Sequence, residues 1–153
     1  MSTVRDVSTV RTVIFACVHN AGRSQMAAAW FARLADPAKA RALSAGTEPA
    51  QRVHPVVVDA MAELGIDLSR AQPQKLTPEL ARGATLLVTM GCGERCPFVP
   101  GLEIADWPLP DPKGQALEAV RATRDEIGRR VAELLRARGW SLPGAPPGTE
   151  KSR

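Results

Sequence analysis

A cysteine and an arginine six positions apart are the residues of this chain with the clearest chemical potential. Cys17 and Arg23 are separated by Val18 and a short turn, His19-Asn20-Ala21-Gly22. A thiolate is a strong nucleophile, and the planar guanidinium of arginine can bind two oxygens of one anion. The spacing therefore predicts a nucleophilic sulfur beside an oxyanion-binding side chain.

The segments around this pair predict how it is positioned. Residues 12–18 form a continuous apolar run typical of a buried parallel strand, and an alanine-rich helix is predicted from Ser24 to Leu34. Between a strand and a helix, the N–H groups of a loop can converge on an anion, which the helix N-terminus also favours. Ser24 can donate a hydrogen bond to the Cys17 sulfur, and Asn20 can stabilise the loop. The predicted oxyanion-binding residues are Val18, His19, Asn20, Ala21, Gly22, Arg23 and Ser24. The alternative is a structural cysteine at a strand end, beside a surface arginine.

Two further cysteines, Cys92 and Cys96, lie in the segment 91–97, which we call the cysteine loop. A hydrolase needs one nucleophile, whereas a reductase must supply two electrons, and two thiols that become a disulfide supply them. Half of a zinc site and a pair of inert thiols are the alternatives. His19 and His54 are poorly placed by sequence to complete a zinc site, so no metal and no cofactor are expected.

The coarse pattern alternates strands with helices along the chain. Strands are predicted at 12–18, 40–44, 84–90 and 102–105, and helices at 24–34, 55–64, from 77, and 115–138. This order predicts a three-layer α/β fold, in which a central four-stranded parallel sheet has helices on both faces. Ligands of such sheets bind beyond the carboxyl ends of the strands, where the cysteines lie. We expect a flexible N-terminus (1–11), a single catalytic domain (12–140) and a disordered tail (141–153).

Composition narrows the classes of function. The chain has 153 residues and a formal net charge of +4, but its arginines are scattered and it has only three Phe, three Trp and no Tyr. Few aromatic rings leave little for base stacking, so no nucleic-acid partner is expected. An apolar run long enough to span a membrane and a secretory signal are both missing, which predicts a cytoplasmic protein with no membrane partner. A small anion suits the charge better.

Asp111 is the candidate acid. It precedes Pro112 in a proline-rich segment, residues 106–114, which we call the acid loop. A protonated carboxyl group there could protonate a leaving oxygen, and helix capping is an equally good explanation from the residues alone. Asp106 is a weaker candidate in the same loop.

The segment Cys17-Val-His-Asn-Ala-Gly-Arg-Ser-Gln-Met-Ala resembles the anion-binding loop of the low-molecular-weight protein tyrosine phosphatases and of the arsenate reductases with the same fold. The resemblance extends from about residue 12 to residue 138 and includes Ser44-Ala45-Gly46, Val88-Thr89-Met90 and Asp111-Pro112. The loop does not choose between the two activities. The resemblance favours Asp111 as general acid, and the added Cys92 and Cys96 favour the three-cysteine, thioredoxin-coupled arsenate reductases.

This resemblance implies a thiol relay. Cys17 would attack arsenate, Cys92 would attack Cys17 and release arsenite, and Cys96 would move the disulfide to the pair 92–96 for reduction by thioredoxin. The spacing of the last two cysteines is shorter than in some relatives, which leaves their order of attack open. The alternatives are a phosphatase of small phosphoesters, a reductase resolved by a low-molecular-weight thiol such as mycothiol, and an arsenic-sensing protein without turnover.

Two departures from the family pattern bear on the substrate and on cations. Lys113 and Gly114 follow Asp111-Pro112 where the phosphatases usually carry aromatic residues, which favours a small inorganic oxyanion. Many relatives have a potassium-binding glutamate where this chain has Ala28, and Lys75 replaces an acidic ligand of some relatives. A fixed ammonium group is therefore expected in place of potassium.

Overall fold

The computed structural model describes residues 10–91 and 99–143. In these two ranges the strands are Arg11–Cys17 (β1), Ala40–Gly46 (β2), Leu86–Thr89 (β3) and Glu103–Asp106 (β4). The helices are Arg23–Leu34 (α1), Pro55–Ala62 (α2), Pro78–Arg82 (α3) and Leu117–Arg138 (α4). Each predicted element is present, with ends that differ from the prediction by one or two residues, and this is the usual uncertainty of helix and strand ends.

The strands form one parallel sheet in the order β2-β1-β3-β4. In the register of the sheet Cys17 is paired with Gly46, Ala16 with Thr89, and Thr89 with Asp106. The carboxyl ends of all four strands therefore share one edge, and the predicted four-stranded parallel sheet is confirmed.

The central strand β1 is buried from residue 12 to residue 17. Its side chains alternate between two apolar clusters, because successive residues of a strand point to opposite faces of the sheet. Val13, Phe15 and Cys17 belong to the cluster that contains the buried residues of α1, α2 and α4, whereas Ile14 and Ala16 pack with Leu76, Leu87 and the half-buried Leu80 of α3. Helices on both faces of the sheet are the three-layer arrangement that the sequence predicts.

Capping and turn residues set several helix ends. The Thr77 side chain accepts a hydrogen bond from Leu80 N at 3.1 Å, and Pro78 occupies the first position of α3. Gly65 follows α2 with a φ of 80°, and the main chain there donates back to α2 from Gly65 N and Ile66 N. Both features are typical helix boundary signals.

The buried faces of α1 and α4 do not follow a simple stripe of apolar residues spaced three or four apart. Met26 and Phe31 are fully buried, but Trp30, which the four-residue spacing places with Met26, is only partly buried. Its Nε1 donates to Arg124 O at 3.0 Å, and its ring lies against Gly128 of α4. Leu135 is the buried leucine near the end of α4, whereas its neighbour Leu134 is only partly buried. Helix–helix packing selects these residues, and a period of 3.6 residues alone does not.

The chain beyond α4 returns to α1. Ser141 forms an isolated antiparallel bridge with Ala35, and Leu142 N donates to Leu34 O at 3.0 Å. These two residues were part of the predicted disordered tail. Most of the predicted flexible N-terminus and residues 144–153 of that tail lie outside the described residues. Among the residues that the structure describes, no helix is long and apolar enough to cross a membrane.

Candidate active site

The sulfur of Cys17 lies at the carboxyl end of β1 and is buried. Its Sγ is 2.9 Å from Ser24 Oγ, which in turn accepts a hydrogen bond from Asn20 Nδ2 at 2.8 Å. Because the Asn20 amide donates to that oxygen, the hydroxyl hydrogen of Ser24 is free to donate to the sulfur. A donor at this distance stabilises a thiolate.

Asn20 fixes the shape of the loop formed by residues 18–24, the oxyanion loop. It is fully buried and adopts a left-handed conformation with a φ of 51°, which asparagine tolerates better than most residues. Its Oδ1 accepts from Gln74 N at 2.9 Å and from Gln25 Nε2 at 3.2 Å, and Gln25 Nε2 also donates to Asn20 O at 3.1 Å. Asn20 therefore joins the loop to α1 and to the chain before α3.

The carbonyl groups of the oxyanion loop are turned away from its interior. Those of Val18, His19 and Ala21 accept hydrogen bonds from N–H groups in the segment 48–54, at 2.7, 2.9 and 2.9 Å. In a trans peptide the C=O of one residue and the N–H of the next point in opposite directions. The N–H groups that follow these carbonyls therefore point away from the segment 48–54, as an anion-binding turn requires.

The Arg23 guanidinium connects the oxyanion loop to the acid loop. Arg23 is 8% exposed, its Nη1 donates to Leu109 O at 3.0 Å, and its Nη2 lies 3.8 Å from Asp111 Oδ2. Its Nε is buried and has no hydrogen-bond partner among the described residues. A buried N–H group without a partner is unfavourable, so the site contains a donor that a bound anion can satisfy.

Asp111 lies at the rim of this site, with its side chain 47% exposed. Its Oδ1 accepts from Lys113 N at 3.0 Å, which is the local turn expected of an aspartate before proline. The Pro112 ring packs on Gly22, where an added β-carbon would lie 2.5 Å from Pro112 Cγ. The glycine therefore allows the acid loop to contact the oxyanion loop directly, and this contact brings Asp111 to the site.

Two histidines lie near the same rim. His54 N donates to Ala21 O, and His19 Nδ1 is 3.1 Å from Glu48 O. Partial burial lowers the pKa of His54 below its ordinary value of 6.5, although the negative charge of Asp111 opposes this effect. The nearby Arg23 and Lys113 also lower it, which favours a neutral imidazole beside the acid loop at pH 7.

Cys92 and Cys96 lie outside the described residues. The strand that precedes them, β3, lies beside β1. Directly after β3, Met90 N donates to Ala16 O at 2.7 Å. Asp106, the weaker acid candidate, instead accepts a hydrogen bond from Thr89 Oγ1 at 2.7 Å and joins β4 to β3. Its bond to Thr89 gives Asp106 a role in the sheet.

Sequence reasoning missed several residues of the site. Gln25, Gln74 and Leu109 were not proposed, although their side chains or main chain bind Asn20 and Arg23. Gln25 could have been found from the sequence, because it is a polar residue on an otherwise apolar face of α1, directly after the oxyanion loop. Gln74 and Leu109 contribute main-chain groups. The type of a residue does not indicate what its main-chain groups will bind.

The position of Lys75 bears on whether this chain can hold the potassium ion that many relatives are expected to bind. Lys75 Nζ donates to Thr47 O at 2.9 Å, so a positive charge is already present beside the end of β2. Ala28 offers no ligand oxygen. This set of groups does not fit a potassium ion, because a second cation would be repelled. Across residues 10–91 and 99–143, no three His, Cys, Asp or Glu residues are clustered as a metal site requires.

Comparison with known proteins identifies the family. Residues 12–140 match the family described as low molecular weight phosphotyrosine protein phosphatase. The chain belongs to this family. The match covers the oxyanion loop, the acid loop and the whole sheet except Arg11, so the resemblance inferred from the Cys17 motif and the fold class are both confirmed.

Several similar proteins at 31% identity or more are arsenate reductases, whereas a low-molecular-weight protein tyrosine phosphatase from T. tengcongensis has a similar structure at 24% identity. Arsenate reductase 1 of Bacillus cereus is 37% identical over 126 residues, which are 79% of this chain and 91% of that protein. The glutaredoxin arsenate reductase of Synechocystis is 35% identical over 129 residues, 82% of this chain and 97% of that protein. The structure of a thioredoxin-dependent arsenate reductase of Corynebacterium glutamicum is 37% identical, with a TM-score of 0.74 over 89% of this chain. This chain spans 65% of that protein.

Proposed function

We propose that this protein is an arsenate reductase that uses Cys17 as its nucleophile. The observation that carries the proposal is the buried Cys17 sulfur, 2.9 Å from the Ser24 hydroxyl, at the start of a loop whose carbonyls are bonded away from its interior. The buried Arg23 supplies the positive charge for an oxyanion. The arsenate reductases among the relatives support this substrate rather than a phosphoester.

The first step forms a bond between sulfur and arsenic. The Cys17 thiolate attacks the arsenic of arsenate, while Arg23 and the loop N–H groups bind the arsenate oxygens and stabilise the charge that develops on them. The bond from arsenic to one oxygen breaks, and Asp111 gives that oxygen a proton so that it leaves as water. No electrons have yet been transferred, because the arsenic is still pentavalent.

The second step transfers two electrons. The Cys92 thiolate attacks the sulfur of Cys17, the sulfur–arsenic bond breaks, and its electron pair leaves with arsenic as arsenite. Cys17 and Cys92 are thereby oxidised to a disulfide. Attack of Cys96 on Cys92 regenerates the Cys17 thiolate and leaves a disulfide between residues 92 and 96. The support for this relay is sequence position, since these cysteines follow β3, the neighbour of β1 in the sheet.

Thioredoxin is the proposed reductant of the final disulfide. The thioredoxin dependence of the Corynebacterium glutamicum protein supports it, whereas the name of the Synechocystis relative makes glutaredoxin the competing candidate. Cys92 and Cys96 together favour thioredoxin, because a chain with its own resolving thiols does not need a low-molecular-weight thiol.

The decisive experiment follows NADPH consumption on addition of arsenate. Thioredoxin with its reductase is supplied in one arm, glutaredoxin with glutathione in a second, mycothiol with its reducing enzymes in a third, and hydrolysis of a small phosphoester is measured in parallel. We expect arsenate-dependent consumption with thioredoxin and little phosphoester hydrolysis. Phosphoester hydrolysis without any arsenate-dependent consumption would instead identify a phosphatase.

Cys92→Ser tests the relay itself. This variant should lose multiple turnover but still form a single arsenic adduct on Cys17, detectable by mass spectrometry. Cys17→Ser should form no adduct. Undiminished steady-state reduction by Cys92→Ser would rule out Cys92 as the resolving thiol. Binding of arsenic by the wild-type protein without reductant consumption would indicate a sensor.

A further inference from the structure

Gly91 occupies the junction between the sheet and the cysteine loop. It directly follows Met90, which is fully buried and hydrogen-bonded to Ala16 O of β1. Its φ is 110°, a backbone conformation that is readily accessible only to glycine. The chain therefore leaves the sheet at a fixed place and in a direction that a residue with a side chain would not easily adopt.

The main chain at Gly91 lies directly against the Arg23 guanidinium. A β-carbon added to Gly91 would be 2.5 Å from Arg23 Nη1, 3.2 Å from Cζ and 3.4 Å from Nη2. Real β-carbons do not approach other atoms to 2.5 Å, so any other residue at position 91 would displace the guanidinium or its own backbone. Only a residue without a side chain permits this contact.

The same guanidinium is also held by the acid loop. Arg23 Nη1 donates to Leu109 O, and Nη2 faces the carboxylate of Asp111. Movement of the guanidinium away from Gly91 would therefore break the bond to Leu109 or change the approach to Asp111. In a site where side chains must be placed within about half an ångström, such a shift weakens anion binding.

We propose that Gly91 is a positioning residue for Arg23. Its missing side chain keeps the guanidinium where an oxyanion can bind, and the same contact places the guanidinium against the residue that precedes Cys92. Oxyanion binding at Arg23 would then also set the backbone position from which the cysteine loop begins. The second half of this proposal rests on the proposed reductase function, and the first half does not.

Gly101→Ala is the matched control for Gly91→Ala. Gly101 also has a positive φ, 84°, in the same connection between β3 and β4, but an added β-carbon there meets no atom of the described residues within 4 Å. Both variants carry the backbone strain of an alanine at positive φ, and only one of them contacts Arg23. The difference between the two therefore isolates the contact.

The first measurement is the affinity for inorganic phosphate. It is determined from the phosphate concentration that protects Cys17 against alkylation by iodoacetamide. We expect Gly91→Ala to weaken phosphate binding at least tenfold and Gly101→Ala to change it less than twofold, with similar losses of thermal stability. Equal phosphate affinities in the two variants would overturn the positioning role. If Gly91→Ala fails to fold, Gly91→Asn replaces it, because asparagine tolerates a positive φ better yet still carries a β-carbon.

The second measurement is the rate of disulfide formation in a single turnover with saturating arsenate. Mass spectrometry detects the disulfide at successive times. We expect Gly91→Ala to form the disulfide at least fivefold more slowly than Gly101→Ala even when the site is saturated. Equal rates would overturn the link to the cysteine loop. A wild-type protein that forms no disulfide with arsenate would contradict the proposed reductase, while the phosphate comparison would still decide the role of Gly91.

Discussion

At the scale of single residues, the Cys17 sulfur depends on a short chain of hydrogen bonds. Asn20 Nδ2 donates to Ser24 Oγ, and Ser24 Oγ lies within bonding distance of the sulfur. All three side chains are buried, so water does not substitute easily for a lost donor. The oxygen of Ser24 therefore couples the position of the Asn20 amide to that of the Cys17 sulfur.

Ser24→Ala should slow the reaction of Cys17 with iodoacetamide at pH 7 by roughly tenfold. A hydrogen bond to a charged group contributes about 1.5–3 kcal/mol, and its loss disfavours the thiolate. The measurement is the rate of carbamidomethylation of Cys17, determined by mass spectrometry. Ser69→Ala, a change on the exposed surface, is the control. An unchanged rate in Ser24→Ala would show that Ser24 does not stabilise the thiolate.

At the scale of elements, an acidic residue just after α2 joins that helix to α4. Glu63 accepts hydrogen bonds from Arg121 and from Arg124 Nη1, which also donates to Ala60 O at 2.8 Å. The hydrogen bonds from the two arginines lower the pKa of Glu63 from 4.5 to about 2. These bonds link two helices that the sequence presents as independent periodic segments.

Glu63→Gln should reduce stability at pH 7 more than at pH 2.5. Glu63 stays ionised in the folded protein down to about pH 2, whereas the unfolded chain takes up its proton near pH 4.5. Its contribution is therefore complete above pH 4.5 and is lost as the pH falls from 4.5 to 2. Urea unfolding at both pH values measures this difference.

The control for this change is Glu133→Gln, which removes an exposed pair within one turn of α4. Such a pair contributes only about 0.3–0.5 kcal/mol, so we expect a small effect. If Glu63→Gln and Glu133→Gln had the same small effect at pH 7, the link between α2 and α4 would not contribute to stability.

At the scale of the whole molecule, segments far apart in sequence converge beneath the oxyanion loop. The chain at 74–76 pairs with the end of β2, where Gly46 N donates to Gln74 O and Leu76 N donates to Gly46 O. Lys75 Nζ adds a bond to Thr47 O, and Gln74 N binds Asn20. This convergence places the ammonium group of Lys75 at the end of β2, next to the residue that binds Asn20.

Exchange of sodium for potassium at constant ionic strength should change neither arsenate reduction nor the thermal midpoint.

Lys75→Met should lower the midpoint by about 2–4 °C for each kcal/mol lost with its bond to Thr47. Differential scanning calorimetry and the coupled NADPH assay check the two statements, and the exposed Lys39→Met is the control. Substantial activation of the wild-type protein by potassium would contradict this interpretation of Lys75.

The sequence by itself determined the order of strands and helices, the motif that begins at Cys17, and the family. Each of these depends on neighbouring residues, because strand and helix periods and turn residues are local properties. Only the tertiary structure decided that Arg23 bonds to Leu109, 86 positions away, that Gly91 lies against the guanidinium, and that Trp30 packs on Gly128. Such contacts involve main-chain atoms and packed surfaces of remote segments, whose meeting depends on how the helices and loops pack around the sheet.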